Sequence, residues 1–461
     1  MLDSVLLWIS KNEKRWLSDL RQWLAIPSIS AQPDHDSDTR AACEWAVDYL
    51  RGIGLEPAVI ETPRHPCILA TTPDSLCEPD APHILFYGHY DVQPPEPLEL
   101  WTSPPFTPTV RDGRLFARGA SDDKGQVFCH LAALMAWREI ATKLPCRVTV
   151  ILEGEEEIGS PNLMAVVNAH APFLKTARTL ILSDTSQFAP GIPSITYGLR
   201  GLVGFELILR GANSDLHSGV YGGTIRNPGN ALAAIIAKLH TEDGRVAIPG
   251  FYDAVLPLTE AERAQWRTLP FDEEAYRAEL AVPALYGEPG YSSLERKWAR
   301  PTLDINGITC GYQGPGGKTV LPNLASCKLT MRLVPNQNPA EIQRLFTAYV
   351  RSLAPAGLTL EIHPGGASPP ALTPISSPAM SAASEALEIG FGKKPIFMRE
   401  GGSIPVVTWF KEALGIDSVM VGYGLPNDRL HAPNEKFDLS CLYCGIRTSA
   451  AMYDKLAAIN K

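Results

Sequence analysis

Three short stretches in the first half of the chain, Ile84–Tyr87, Val148–Leu152 and Thr179–Leu182, are apolar without polar alternation. Runs of that length, rich in β-branched residues, predict strands buried on both faces. Lys124–Ile140 and Pro161–His170 read as helices between them. Strands alternating with helices predict a mostly parallel α/β sheet. At the N-terminus Leu6, Ile9, Trp16, Leu20, Trp23 and Leu24 recur at three- and four-residue steps. That spacing predicts an amphipathic helix over Met1 to Trp23 rather than a signal peptide.

From Gly201 the pattern changes. Val203, Phe205, Leu207 and Leu209 alternate, as in a strand with one wet face. A helix over Pro228–Leu239 follows, then a Pro-rich stretch, Phe251–Trp298. An apolar stretch at Leu303–Ile308, an alternation at Cys327, Leu329, Met331 and Leu333, a helix over Ala340–Leu353 and a last alternation at Leu358, Leu360 and Ile362 complete the series. The order is β-α-β-β-α-β, the ferredoxin-like arrangement. His363–Pro378 reads as a return linker, after which a helix (Ala379–Gly390), an apolar run (Ser418–Val421) and a helix (Cys441–Ile459) resume the first style. The expected organisation is a discontinuous catalytic domain, residues 1–199 and 377–461, with a second domain, 200–376, inserted between.

Composition narrows the class. The 461 residues are 45% hydrophobic and 20% charged, as in globular chains, so two or three domains are expected. The net charge of −9, with no Lys/Arg stripe, argues against a nucleic-acid partner. No apolar run is long enough to predict a membrane span. Nine cysteines, an odd number placed mostly in apolar segments, fit reduced thiols and a cytoplasmic protein.

The chemistry gathers where the runs end. Ile84–Tyr87 leads to His89 and Asp91, Val148–Leu152 to Glu155, Glu156 and Glu157, and Thr179–Leu182 to Asp184. Asp122 and Asp123 precede the Lys124 helix, and His431 follows Ser418–Val421. Each alone has an ordinary reading: a Glu triplet is a solvated loop, an Asp pair caps a helix, a lone His is structural. Together they fall where α/β sheets bind ligands, beyond the carboxyl ends of the strands. Adjacent carboxylates repel, and a divalent cation holds them close. Imidazole with carboxylates and no thiolate suits zinc or a harder ion such as manganese. The pattern predicts a two-metal hydrolase.

Seven segments then carry a resemblance: Gly88-His-Tyr-Asp-Val92, Gly119-Ala-Ser-Asp-Asp-Lys-Gly125, Glu153-Gly-Glu-Glu-Glu-Ile-Gly-Ser160, Asp215-Leu-His-Ser-Gly219, Arg332-Leu-Val-Pro335, Glu400-Gly-Gly-Ser403 and His431-Ala-Pro-Asn-Glu435. In order and almost end to end, they resemble the M20 metallopeptidase family, in its branch of cytosolic nonspecific dipeptidases and carnosinases. The resemblance implies an α/β, phosphorylase/hydrolase-like catalytic domain with an inserted ferredoxin-like lid and dimerisation domain. It implies two divalent ions per subunit, Zn2+ with Mn2+ or Co2+ as alternatives. Their ligands would be His89, Asp122, Glu157, Asp184 and His431, with Asp122 bridging, Asp184 beside His89, and Glu157 beside His431. Glu156 would be the general base and Asp91 the carboxylate steering His89. His217 would reach the active site of the partner in a homodimer. Arg332, Thr319, Gly402 and Ser403 would hold a small peptide substrate, the arginine gripping its terminal carboxylate. A cis peptide between Asp122 and Asp123 is also implied. Glu155 receives no role, and His130, His170, His240 and His363 lie outside every motif.

The activity expected is dipeptide hydrolysis by a metal-activated water. A carboxypeptidase or N-acyl-amino-acid amidohydrolase on the same scaffold is the near alternative. A non-catalytic binding protein would be expected to have lost Glu156 or a ligand. A thiol-redox role through Cys441 and Cys444 is the remaining reading.

Overall fold

In the computed structural model, which describes residues 1–459, the apolar runs form the middle of one sheet. Seven of its nine strands run in the order Glu56–Ile60, Cys67–Thr71, Arg147–Glu153, His83–His89, Thr179–Leu182, Ser418–Val421 and Ser194–Leu199. The central four run parallel, and the flanking pairs are antiparallel. A parallel strand is covered on both faces and has no wet side. Accordingly His83–His89, Thr179–Leu182 and Ser418–Val421 are buried along their whole length. The helix Lys124–Ile140 is buried on every side from Lys124 to Trp137. It packs between the His83–His89 strand, the N-terminal helices and the last helix, Leu439–Ala458.

The N-terminal stripe is buried as the spacing predicts, through Val5, Ile9, Trp16, Leu20, Trp23 and Leu24, but it lies on two helices. Leu2–Lys11 and Glu13–Leu24 meet at Asn12, whose backbone leaves the helical region and whose amide donates to Trp8 O at 2.8 Å. Asparagine offers the backbone this local alternative, so it interrupts a helix that periodicity alone would continue.

Two compact units make up the chain. The first comprises Met1–Tyr197, Thr373–Met398 and Trp409–Lys461; the second comprises Gly198–Leu372 and Arg399–Thr408. Residues 460 and 461, the end of the expected segment 377–461, lie outside the described residues.

In the second unit an antiparallel sheet runs Thr302–Cys310, Leu324–Leu333, Gly201–Arg210, Thr359–Ser368. With the helices Pro228–Ala237 and Pro339–Leu353 it has the ferredoxin-like chain order. Val203, Phe205, Leu207 and Leu209 all point into its core, where Phe205 stacks on Phe346 at 4.3 Å. Two findings differ from expectation. The Pro-rich stretch contains the helices Glu260–Arg267, Glu273–Glu279 and Ser293–Ala299, two of them closed by capping boxes at Thr259/Glu262 and Ser292/Glu295. The supposed linker starts as strand: pairing with Gly201–Arg210 continues to Ser368, and the register shifts between Pro364 and Ala367. Pro364 has no N–H to give the ladder, so its sequence hides a strand that persists by shifting.

Candidate metal centre

Three donors sit at or just beside element ends (His89, Asp122 and Asp184), Glu157 lies in the short turn Glu156–Ile158, and His431 lies in the loop between Ser418–Val421 and Lys436–Asp438. His89 closes its strand and is fully buried. Its Nδ1 faces Asp91, 3.1 Å from the carbonyl oxygen and 3.4 Å from Oδ1. Its Nε2 lies 3.3 Å from Asp122 Oδ1 without making a hydrogen bond, a buried ring nitrogen with no partner. Asp122 stands just before the Lys124 helix, and the Asp122–Asp123 peptide is cis, as the resemblance implies. Asp122 Oδ2 accepts from His431 Nε2 at 2.8 Å, and the same nitrogen is 3.5 Å from Glu157 Oε2. Two donor groups result, His89–Asp122–Asp184 and Asp122–Glu157–His431, and Asp122 belongs to both.

Asp91 organises more than one neighbour. Besides facing His89, its two oxygens accept from the backbone N–H of Glu156 (3.2 Å) and Glu157 (3.0 Å), and Ser30 Oγ donates to it at 2.6 Å. Asp91 therefore meets the imidazole through its backbone carbonyl, with its carboxylate close by, and that carboxylate pins the turn that carries two glutamates. Glu155 is corrected from no role to a structural one. It is buried and accepts from Thr62 Oγ (2.5 Å), His65 N (2.9 Å) and Asn162 Nδ2 (2.8 Å). It ties the Thr62–His65 loop to the same turn. Gln93, absent from the sequence reading, donates to Glu157 Oε2 at 2.8 Å. No motif marks it beyond its place one residue past the His89–Val92 segment.

The electrostatics fit a cation. Burial, then the Asp122 charge, pushes the Glu157 carboxyl up to about 8. Burial, then Asp122 and Asp123, carries Asp184 well above the carboxylate range, and burial also raises Glu156. The hydrogen bond to Asp122 lifts His431 to about 9. Asp122 itself is lowered: burial opposes its charge, and the two histidines outweigh burial. Among the described residues no Lys or Arg pairs with Asp122, Glu157 or Asp184. Such a cluster is short of positive charge, and divalent cations supply it. With the orphaned His89 nitrogen and a donor set of imidazole and carboxylate, the residues fit metal binding.

In the second unit the expected substrate residues form two groups. His217 sits on the two-stranded ribbon Leu216–His217 and Val320–Leu321, and Thr319 stands just before its second strand, where its carbonyl accepts from Ser218 N at 3.0 Å. His217 is exposed, and its Nδ1 accepts from Gly219 N at 3.0 Å. Arg332 alternates with buried Met331 and Leu333 and donates to Ser403 Oγ at 3.1 Å. That hydroxyl donates in turn to Arg200 O (2.5 Å), while Gly402 O accepts from Arg200 N at 3.1 Å. Arg200 was not anticipated. Its own guanidinium donates to Gly401 O at 3.1 Å and braces the Gly401–Ser403 turn.

A mostly parallel sheet with two imidazole–carboxylate groups at its strand ends, and another glutamate beside them, is the layout of a metal-dependent hydrolase. The chain belongs to peptidase family M20/M25/M40, whose family model matches residues 85–455. It is 31% identical to the Cys-Gly metallodipeptidase dug1 of Schizosaccharomyces pombe, over 100% of this chain and 99% of that one. Among solved structures, human carnosine dipeptidase 1 superposes with a TM-score of 0.85 at 30% identity, covering 99% of this chain and 98% of the other. The metallo-carboxypeptidase Sso-CP2 of Sulfolobus solfataricus superposes at 0.84 with 32% identity, over 96% and 99%. The chain is thus a metallopeptidase of this family.

Proposed function

We propose that this chain is a dinuclear metal-dependent dipeptidase acting on small peptides with a free C-terminal carboxylate. The observation that carries the reading is the pair of donor groups meeting at Asp122, with Glu156 next in sequence to one of the donors. His89, Asp122 and Asp184 would hold one ion and Asp122, Glu157 and His431 the other, Zn2+ in the first place with Mn2+ or Co2+ as substitutes. Bound there, the ions supply Lewis acidity toward a water and the peptide carbonyl. Glu156 takes the proton of the attacking water and returns it to the leaving amine, a service worth typically about 10²–10⁴-fold. Asp91 keeps His89 and the Glu156–Glu157 turn in place for it. Arg332, with its guanidinium already oriented by Ser403, takes the terminal carboxylate in two parallel hydrogen bonds, and Thr319 and Gly402 line the substrate.

The same reading divides the chain into a catalytic domain, 1–199 with 377–461, and a lid, 200–376, that pairs two chains as a homodimer. The partner's His217 then completes the site as a donor to the developing oxyanion. A cytoplasmic setting agrees with nine free cysteines. The full-length similarity to dipeptidases supports the substrate class. The comparable similarity to Sso-CP2 favours, as a second reading, removal of a C-terminal residue from longer peptides. A hydrolysis screen of dipeptides, tripeptides and N-acylated amino acids, with zinc, manganese and cobalt in turn, tests both. Fastest cleavage of dipeptides is expected; tripeptides shortened from the C-terminus at higher kcat/KM would select the carboxypeptidase. No hydrolysis with any of the three metals would refute both.

A further inference from the structure

We infer that Glu435 is a positioning residue for the metal centre, a buried carboxylate that locks the backbone of Asp122 to the loop delivering His431. The inference rests on the metal centre proposed above. Glu435 is completely buried. Its Oε1 accepts from the backbone N–H of Ser121 (2.9 Å) and Asp122 (3.0 Å). Its Oε2 accepts from Gly119 N (3.0 Å) and from Arg118 Nη1 (2.7 Å). Four donors from the segment 118–122 thus converge on one side chain, like the amides of a nest around an anion.

The Arg118 guanidinium supplies the countercharge that a buried carboxylate requires, and charge-assisted bonds of this kind are the strong ones.

What makes the arrangement more than a structural anchor is where its ends go. Asp122 is held at its N–H by Glu435, and at its Oδ2 by His431, four residues earlier in the same loop. The loop and the segment 118–122 therefore close a ring around the shared donor. A second tie reinforces it: Ser121 Oγ donates to Asp428 Oδ2 at 3.0 Å, and Asp428 is itself paired with Lys436 at 2.5 Å. Rotation or retreat of the Asp122 backbone would move its carboxylate out of both donor groups at once. Replacing Glu435 by glutamine leaves shape almost unchanged but turns an NH2 toward either the Ser121/Asp122 amides or the Gly119/Arg118 donors. Donor would then face donor, and one of the two pairs loses its acceptor.

The test is zinc affinity, measured on chelator-stripped protein by competition with a chromophoric chelator, with ions per chain counted by elemental analysis. Wild type should take two zinc ions. Glu435→Gln should keep its circular-dichroism spectrum and bind at least one ion roughly 10–100-fold more weakly, the usual cost of losing a partner that orients a ligand. Glu435→Asp, which keeps the charge but withdraws it by one methylene, should fall between and carries the test if the glutamine variant does not fold. Val5→Ala, a cavity in the buried face of the first helix, should lower Tm without moving zinc affinity. Glu435→Gln binding two ions within threefold of wild type would overturn the inference, as would equal weakening in Val5→Ala. A wild-type chain that takes up no zinc would instead refute the proposed function, and the inference with it.

Discussion

Side chains of the same chemistry have very different duties here, and surroundings decide which. Of the three consecutive glutamates, Glu155 faces inward and accepts from the Thr62–His65 loop, Glu157 joins Asp122 and His431, and Glu156 rides on the turn that Asp91 pins. Periodicity cannot separate three adjacent carboxylates; resemblance assigns roles to the last two, while the duty of Glu155 comes from a loop ninety residues upstream. Glu156→Gln should retain two bound ions and lose about 10²–10⁴-fold in kcat. A kcat within tenfold of wild type would mean that another group moves the proton. His130 shows the structural use of the same residue type as His89 and His431. Buried against Phe86, with Nε2 2.7 Å from Ser183 Oγ, it is pushed down to about 3 by desolvation. Between that value and the ordinary 6.5, the unfolded chain binds a proton that the folded one refuses. Stability is therefore whole above pH 6.5 and is lost as pH falls toward 3. At 1.36 kcal/mol per unit the loss on going from pH 7 to pH 4.5 is roughly 2–3 kcal/mol. Denaturant titrations of wild type and His130→Gln at the two pH values should show a loss smaller by about that amount in the variant; parallel losses would exclude His130 as its source.

Elements buried on both faces were legible, because nothing polar interrupts them: the runs at His83–His89, Arg147–Glu153, Thr179–Leu182 and Ser418–Val421 are strands, and Lys124–Ile140 is a helix. The helix Asp36–Ile53 escaped notice because much of its buried face is small, Thr39, Ala42, Cys43 and Ala46. The three-stranded ribbon of Thr109–Arg111, Arg114–Phe116 and Lys436–Asp438 escaped because its strands are short and one partner is over three hundred residues away. One detail at the start of the Lys124 helix is testable. A Cβ on Gly125 would lie 1.8 Å from Ala120 O, backbone of the segment that presents Asp122. Gly125→Ala must displace that segment. A loss of about 1–3 kcal/mol in unfolding free energy is expected, with weaker zinc binding. Unchanged stability and zinc affinity would show that the segment yields freely.

At the scale of the whole molecule, the proposed homodimer makes the most distinctive claim, because His217 and the donor groups belong to separate units. His217→Ala and Glu156→Gln chains, each inactive alone, should regenerate activity when mixed, since a hybrid dimer holds one intact site. Subunit exchange without recovery would contradict sharing, and a fully active monomer would end it. The ferredoxin-like order of the second unit could be read from alternation, yet nothing in a single chain's periodicity says what the exposed His217 meets. The central claim, that this family member cleaves dipeptides with two divalent ions, is tested most directly by titrating zinc into the chelator-stripped chain while following hydrolysis of a dipeptide and of its C-terminal amide. Activity on the free dipeptide should be absent without metal and saturate at two ions per chain, with the amide cleaved far more slowly. Hydrolysis that persists without metal, saturates at one ion, or ignores the terminal carboxylate would contradict the account.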